Sequence, residues 1–117
     1  MGSSFVEGCS YLYLFTFGNH RLLHQSTGGF IEDHLTGLKA EIALLYPMSQ
    51  NDLAEIIKAL QPKTVFAHHF DEWRKPFTEG MPESNSRRAQ RFARDVSAID
   101  KQIKVVIPNF FDSHNLE

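Results

Sequence analysis

Apolar positions along this chain fall into short uninterrupted runs and stripes of helical period. Tyr11 to Phe17 (YLYLFTF) is an aromatic run, and Gly18-Asn19 follows as a tight-turn signal before a second apolar stretch, Arg21 to His24. This order predicts a β-hairpin. Gly28-Gly29 breaks the chain, and the spacing of Ile31, Leu35 and Leu38 predicts a short helix over 31–38. Ile42 to Tyr46 (IALLY), closed by Pro47, has the continuous apolar character of a central strand covered on both faces. Ser49 and Asp52 have the spacing of a capping box, and Leu53, Ile56, Ile57 and Leu60 form a helical stripe that Pro62 ends. Thr64 to Ala67 (TVFA) predicts a strand running straight into His68-His69. From Phe70 to Ser86, Pro76, Gly80, Pro82 and many polar residues predict a long loop. Ala89, Phe92, Ala93 and Val96 then predict a helix, and Ile103 to Ile107 (IKVVI), stopped by Pro108, a last strand.

The resulting fold class is α/β, a β-hairpin followed by β-α-β-α-β units. Apolar strands alternating with helices imply parallel pairing with right-handed crossovers. Ile42 to Leu45, Val65 to Phe66 and Val105 to Ile107 are the expected buried central strands. In such sheets functional groups gather where strands end, at the carboxyl edge. His68, His69 and Asp71 fall at that edge.

Composition narrows the range of functions. At 117 residues, with 42% hydrophobic and 12% aromatic side chains, the chain fits one domain with a modest core. Residues 10–108 carry the patterned elements; 1–9 and 109–117 read as tails. A formal charge of -2 gives no global reason to bind nucleic acid or an anionic membrane. Arg87, Arg88, Arg91 and Arg94 put a basic face on the last helix, opposite its apolar stripe, which reads as a solvated face rather than a phosphate-binding one. The single cysteine, Cys9, excludes an internal disulfide and a cysteine-rich zinc cluster, and suits a reducing compartment. With no apolar run of membrane-spanning length and no signal-peptide pattern at the start, the expectation is a cytoplasmic protein.

Ala67-His68-His69-Phe70-Asp71-Glu72-Trp73 is the stretch richest in chemistry, two imidazoles and two carboxylates after a predicted buried strand. Neutral imidazole is a good zinc ligand, and a nearby carboxylate can orient it. Neighbouring residues at a strand end point to opposite sides, so His68 and His69 are not expected to face one metal. The plainer reading is of polar residues that hydrogen-bond the loop. His20, His24, His34 and His114 are scattered over a turn, a strand, a helix and the tail, where surface or satisfied core roles are the commoner ones.

The segment Gln61-Pro62-Lys63-Thr64-Val65-Phe66-Ala67-His68-His69-Phe70-Asp71-Glu72-Trp73 resembles the part of metallo-β-lactamase-fold hydrolases that leads through a strand to their last metal-binding histidine. His69 is the matching position. Upstream, the hairpin and Arg21 to Gly29 resemble the strand pair that leads into a Gly-Asp-Thr-like element, with Gln25-Ser26-Thr27 in its place. Ser26 stands where many members have a metal-bridging aspartate, and a neutral hydroxyl bridges dications poorly.

The resemblance covers about Tyr11 to Ile107 and implies the C-terminal half of an αββα sandwich. It assigns His69 as a candidate metal ligand, Ser26 as a doubtful one and Asp71 as a candidate for orienting the ligand. It implies no metal held by the lone chain, and zinc or manganese where a full site is assembled. The family's His-x-His-x-Asp-His loop has no counterpart here. The expected function is therefore an incomplete half-domain, non-catalytic alone and self-associating as a homo-oligomer or with a missing N-terminal half. The alternatives are a zinc-dependent hydrolase whose site another chain completes, and a binding module using the 71–86 loop. No nucleic-acid or membrane partner is expected.

Overall fold

The computed structural model describes residues 12–25, 35–70, 74, 76–109 and 112–115. Five strands form one mixed sheet in the order β1(Leu12–Phe17), β2(His20–Gln25), β3(Ile42–Leu45), β4(Thr64–Ala67), β5(Lys104–Val106). β1 and β2 pair antiparallel, with Phe17 opposite His20, and the other three pairings are parallel. Gly18, at φ 59, takes the left-handed conformation at the first turn position, which only glycine adopts cheaply and which suits a two-residue hairpin.

Helix α1(Gln50–Leu60) starts where the sequence places it. Ser49 Oγ accepts the Asp52 backbone N–H at 3.2 Å, filling one of the orphan donors of the first turn. It ends on Gln61, which turns left-handed at φ 50 just before Pro62. Helix α2(Glu83–Ile99) buries Ala89, Phe92 and Val96. These side chains join Leu53, Ile56, Ile57 and Leu60 of α1 and Leu23, Ala43, Leu45, Val65 and Ala67 of the sheet in one core.

Strand alternation explains which half of each strand takes part. The registers set Leu14, Leu23, Ala43, Val65 and Val105 on the face beneath the helices. The opposite face carries Tyr13, Phe15, Phe17, His20, Leu22, His24, Ile42, Leu44, Thr64, Phe66, Lys104 and Val106. No helix among the described residues packs there. Part of the C-terminal tail does, since the His114 ring meets Phe66 edge-on at 5.1 Å and Asn115 lies near Ile42. The β1 side stays open, with Tyr13 and Phe15 each 49% exposed and Phe17 44%.

Three expectations need correction. β5 is an edge strand, half-buried rather than central, because nothing pairs beyond it among the described residues and its face is only partly overlaid. The loop expected over 70–86 is shorter, since a 3-10 turn spans Phe77–Glu79 and α2 already begins at Glu83, directly after Pro82. Leu44, expected in the buried core, is half-buried because it lies on the open face. Half of the helix expected over 31–38 lies outside the described residues; Leu35 to Leu38 make a turn closed by the Leu38 N–H on the Leu35 carbonyl at 3.0 Å.

Candidate functional site

Parallel strands β2, β3 and β4 end side by side, so the residues after them share one edge. The His68 backbone N–H donates to the Leu45 carbonyl at 3.0 Å, which carries the β4 pairing one residue past its end. Alternation then sends the His68 side chain to the open face, as for Phe66. There it lies beside His24, with ring centroids 5.1 Å apart and planes 24° apart. Tyr13 flanks His24 at 6.3 Å, and Tyr46 flanks His68 at 6.4 Å.

His69 goes elsewhere. Its φ of 66 is left-handed, uncommon for a residue with a side chain, and turns the chain off the strand. His69 is exposed, while its ring remains 6.5 Å from that of His68. Phe70 returns to the core against Phe92, and its carbonyl accepts from Asn85 Nδ2 at 2.7 Å, tying the turn to α2.

Burial pushes the His68 imidazole below its ordinary pKa of 6.5. Backbone hydrogen bonding at Gln25 and Leu44 opposes the shift, while neighbouring His24 and His69 add to it. Nε2 of His68 is shut off from solvent and meets no hydrogen-bond partner among the described residues. His68 is therefore a neutral imidazole near pH 7. Such a group can bind a metal, accept a proton or stack on a ring, but it needs companions to do the first two as catalysis.

Those companions are not assembled among the described residues. No group of three or more His, Cys, Asp or Glu side chains is placed there to hold a metal ion. Ser26 and Asp71, the other two positions singled out from the sequence, lie outside the described residues, as do His34 and Cys9. Of the named residues, the fold brings together His24, His68 and Tyr46, with His69 at the rim. His24 looked isolated in the sequence. Its signal was positional, because it occupies the open face at the end of β2 as His68 does beyond β4.

His20 Nδ1 lies 2.7 Å from Glu41 Oε1, at the opposite edge of the sheet, with both side chains about one-third exposed. Arg87, Arg88, Arg91 and Arg94 are all exposed on α2. Arg87 pairs with Glu83 one turn earlier at 3.4 Å, and Arg88 sits 5.8 Å over the Phe70 ring.

Among the described residues the fold is that of an α/β protein whose five-stranded mixed sheet is covered by helices on one face. No family model matches the chain, and no curated protein compared with it matches. No described helix is long and apolar enough to cross a membrane.

Proposed function

We propose that this chain acts by association rather than by chemistry, as the C-terminal half of a metallo-β-lactamase-like sandwich that is non-catalytic alone and self-associates. The observation that carries this reading is the open sheet face, where Tyr13, Phe15 and Phe17 are nearly half exposed. Three aromatic rings side by side on one strand, each nearly half exposed, favour a contact that reduces their exposure to water. A second copy supplies a complementary surface because the patch is aromatic and carries no fixed charge between Leu12 and Phe17.

The test is light scattering from micromolar to near-millimolar concentration, with Phe15→Lys as the variant. Phe15 points away from the core, so the variant keeps the fold and moves the protein toward monomer. A wild-type chain that stays monodisperse and monomeric over that whole range sinks the proposal.

One observation favours a second reading, in which another chain or an N-terminal half completes a zinc- or manganese-dependent hydrolase. It is the gathering of His24, His68 and His69 at the carboxyl edge, where such sheets place their ligands. In this reading His69 is the ligand and Asp71 orients it. Metal-dependent hydrolysis that appears only in the oligomer and is lost in His69→Ala would favour it over the first.

A further inference from the structure

We propose that the second copy pairs edge to edge with β1, antiparallel, so that two five-stranded sheets become one of ten strands. This rests on the self-association reading and assigns it a geometry.

The two edges of the sheet differ in kind. β5 is three residues long and begins with exposed Lys104, so pairing it with itself sets like charges close together. Short edges and lysines are the usual protections against edge pairing. β1 has neither. It is six residues long, Leu12–Phe17, with no charged side chain, no proline and no glycine, the composition that most readily adds a strand. Its outer side has no strand partner among the described residues.

Hydrogen-bond alternation fixes what that outer side offers. The two-residue turn closes on the Phe17 and His20 pair, which turns the backbone groups of Tyr13, Phe15 and Phe17 toward β2. The N–H and C=O groups of Leu12, Leu14 and Thr16 therefore point outward. A two-fold axis normal to the sheet beside Leu14 sets Leu14 opposite its counterpart and Leu12 opposite Thr16 of the second copy, giving about six new backbone hydrogen bonds. The same register sets Tyr13 opposite Phe15 of the second copy, twice, on the open face. Aromatic pairs directly across strands add to sheet stability.

Area decides how tight this contact is. An edge strip about 20 Å long and about 10 Å deep amounts to roughly 200 Å² in projection per copy, against the ~800 Å² per partner of a standard stable interface. The edge-paired dimer is thus weak and exchanging, and its detection calls for concentrated protein or a covalent trap.

Two measurements test it. Thr16→Pro deletes one outward N–H without touching the β1–β2 ladder or the aromatic face, and weakens dimerisation at least tenfold by sedimentation. Leu14→Cys, in a Cys9→Ser background, forms a covalent dimer on mild oxidation, because the register puts the two Cα atoms about 5.5 Å apart, within disulfide reach. Lys104→Cys on β5, in the same background, does not. A folded Thr16→Pro variant that associates like wild type, or a Leu14→Cys chain that fails to cross-link while the wild type still oligomerises, overturns β1 pairing and leaves self-association standing. A wild type that stays monomeric up to near-millimolar concentration overturns both. Should Thr16→Pro fail to fold, the cross-linking result alone decides.

Discussion

At the residue scale, His68 and His69 are adjacent in sequence yet occupy unlike environments. Strand alternation accounts for His68, whose side chain follows Phe66 onto the open face and meets His24 at 5.1 Å. The left-handed backbone accounts for His69, which leaves the strand and is exposed. Burial and neighbouring imidazoles hold His68 below the ordinary pKa of 6.5, so the unfolded chain takes up its proton first as pH falls. Its contribution to stability is complete above 6.5, declines as pH drops from 6.5 toward the lower folded value, and is then level. Urea unfolding on either side of that range should show wild-type stability falling with acidification, and His68→Asn should remove part of the slope. A variant with an unchanged slope would show that His68 is not held neutral by the fold. His69→Ala, at an exposed site, should change stability by less than about 1.5 kcal/mol.

At the element scale, the helices and the hairpin were legible because their signals are local. Ser49, Asp52 and the Leu53/Ile56/Ile57/Leu60 stripe define α1 without reference to the rest of the chain, and Gly18-Asn19 defines the turn. The strands were legible as apolar runs, but a run does not say which of its residues face the helices. Leu45 is fully buried beneath them, whereas Leu44 faces the other way and is half-buried. Leu45→Asp should therefore leave an unpaired ion in the core and cost more than about 4 kcal/mol, a large fraction of the stability of a domain of this size. Leu44→Asp, near solvent on the open face, should cost clearly less. Circular dichroism melts of the two variants check the order. Equal losses would mean that the open face is as buried as the helix-covered one.

At the scale of the whole molecule, the sheet is covered by helices on one side and in part by the tail on the other. That asymmetry ties assembly to the metal question. Structural zinc takes four protein ligands and catalytic zinc about three plus water, and the described residues bring no such set together. The protein purified without added metal should carry well under one zinc or manganese per chain by elemental analysis. It should also show no metal-dependent hydrolysis of lactone, phosphodiester or β-lactam substrates. Near one metal per chain, lost together with turnover in His69→Ala, would instead favour a site completed between subunits.

The α/β class, the order of the five strands and of α1 and α2, and the edge position of His68 and His69 were determined by the sequence alone, since periodicity, capping and turn chemistry act over a few residues. His24 as the neighbour of His68 was not, because the two lie 44 positions apart and meet only when three parallel strands end in register. The edge position of β5 was likewise hidden. IKVVI reads as buried in any local window, and only the strand order leaves it with a single partner. The aromatic run of β1 announced an apolar surface; tertiary structure decided that helices cover its Leu12 and Leu14 side and leave Tyr13, Phe15 and Phe17 open. Local sequence sets how a segment folds, whereas which of its two faces is buried depends on what the rest of the chain brings against it.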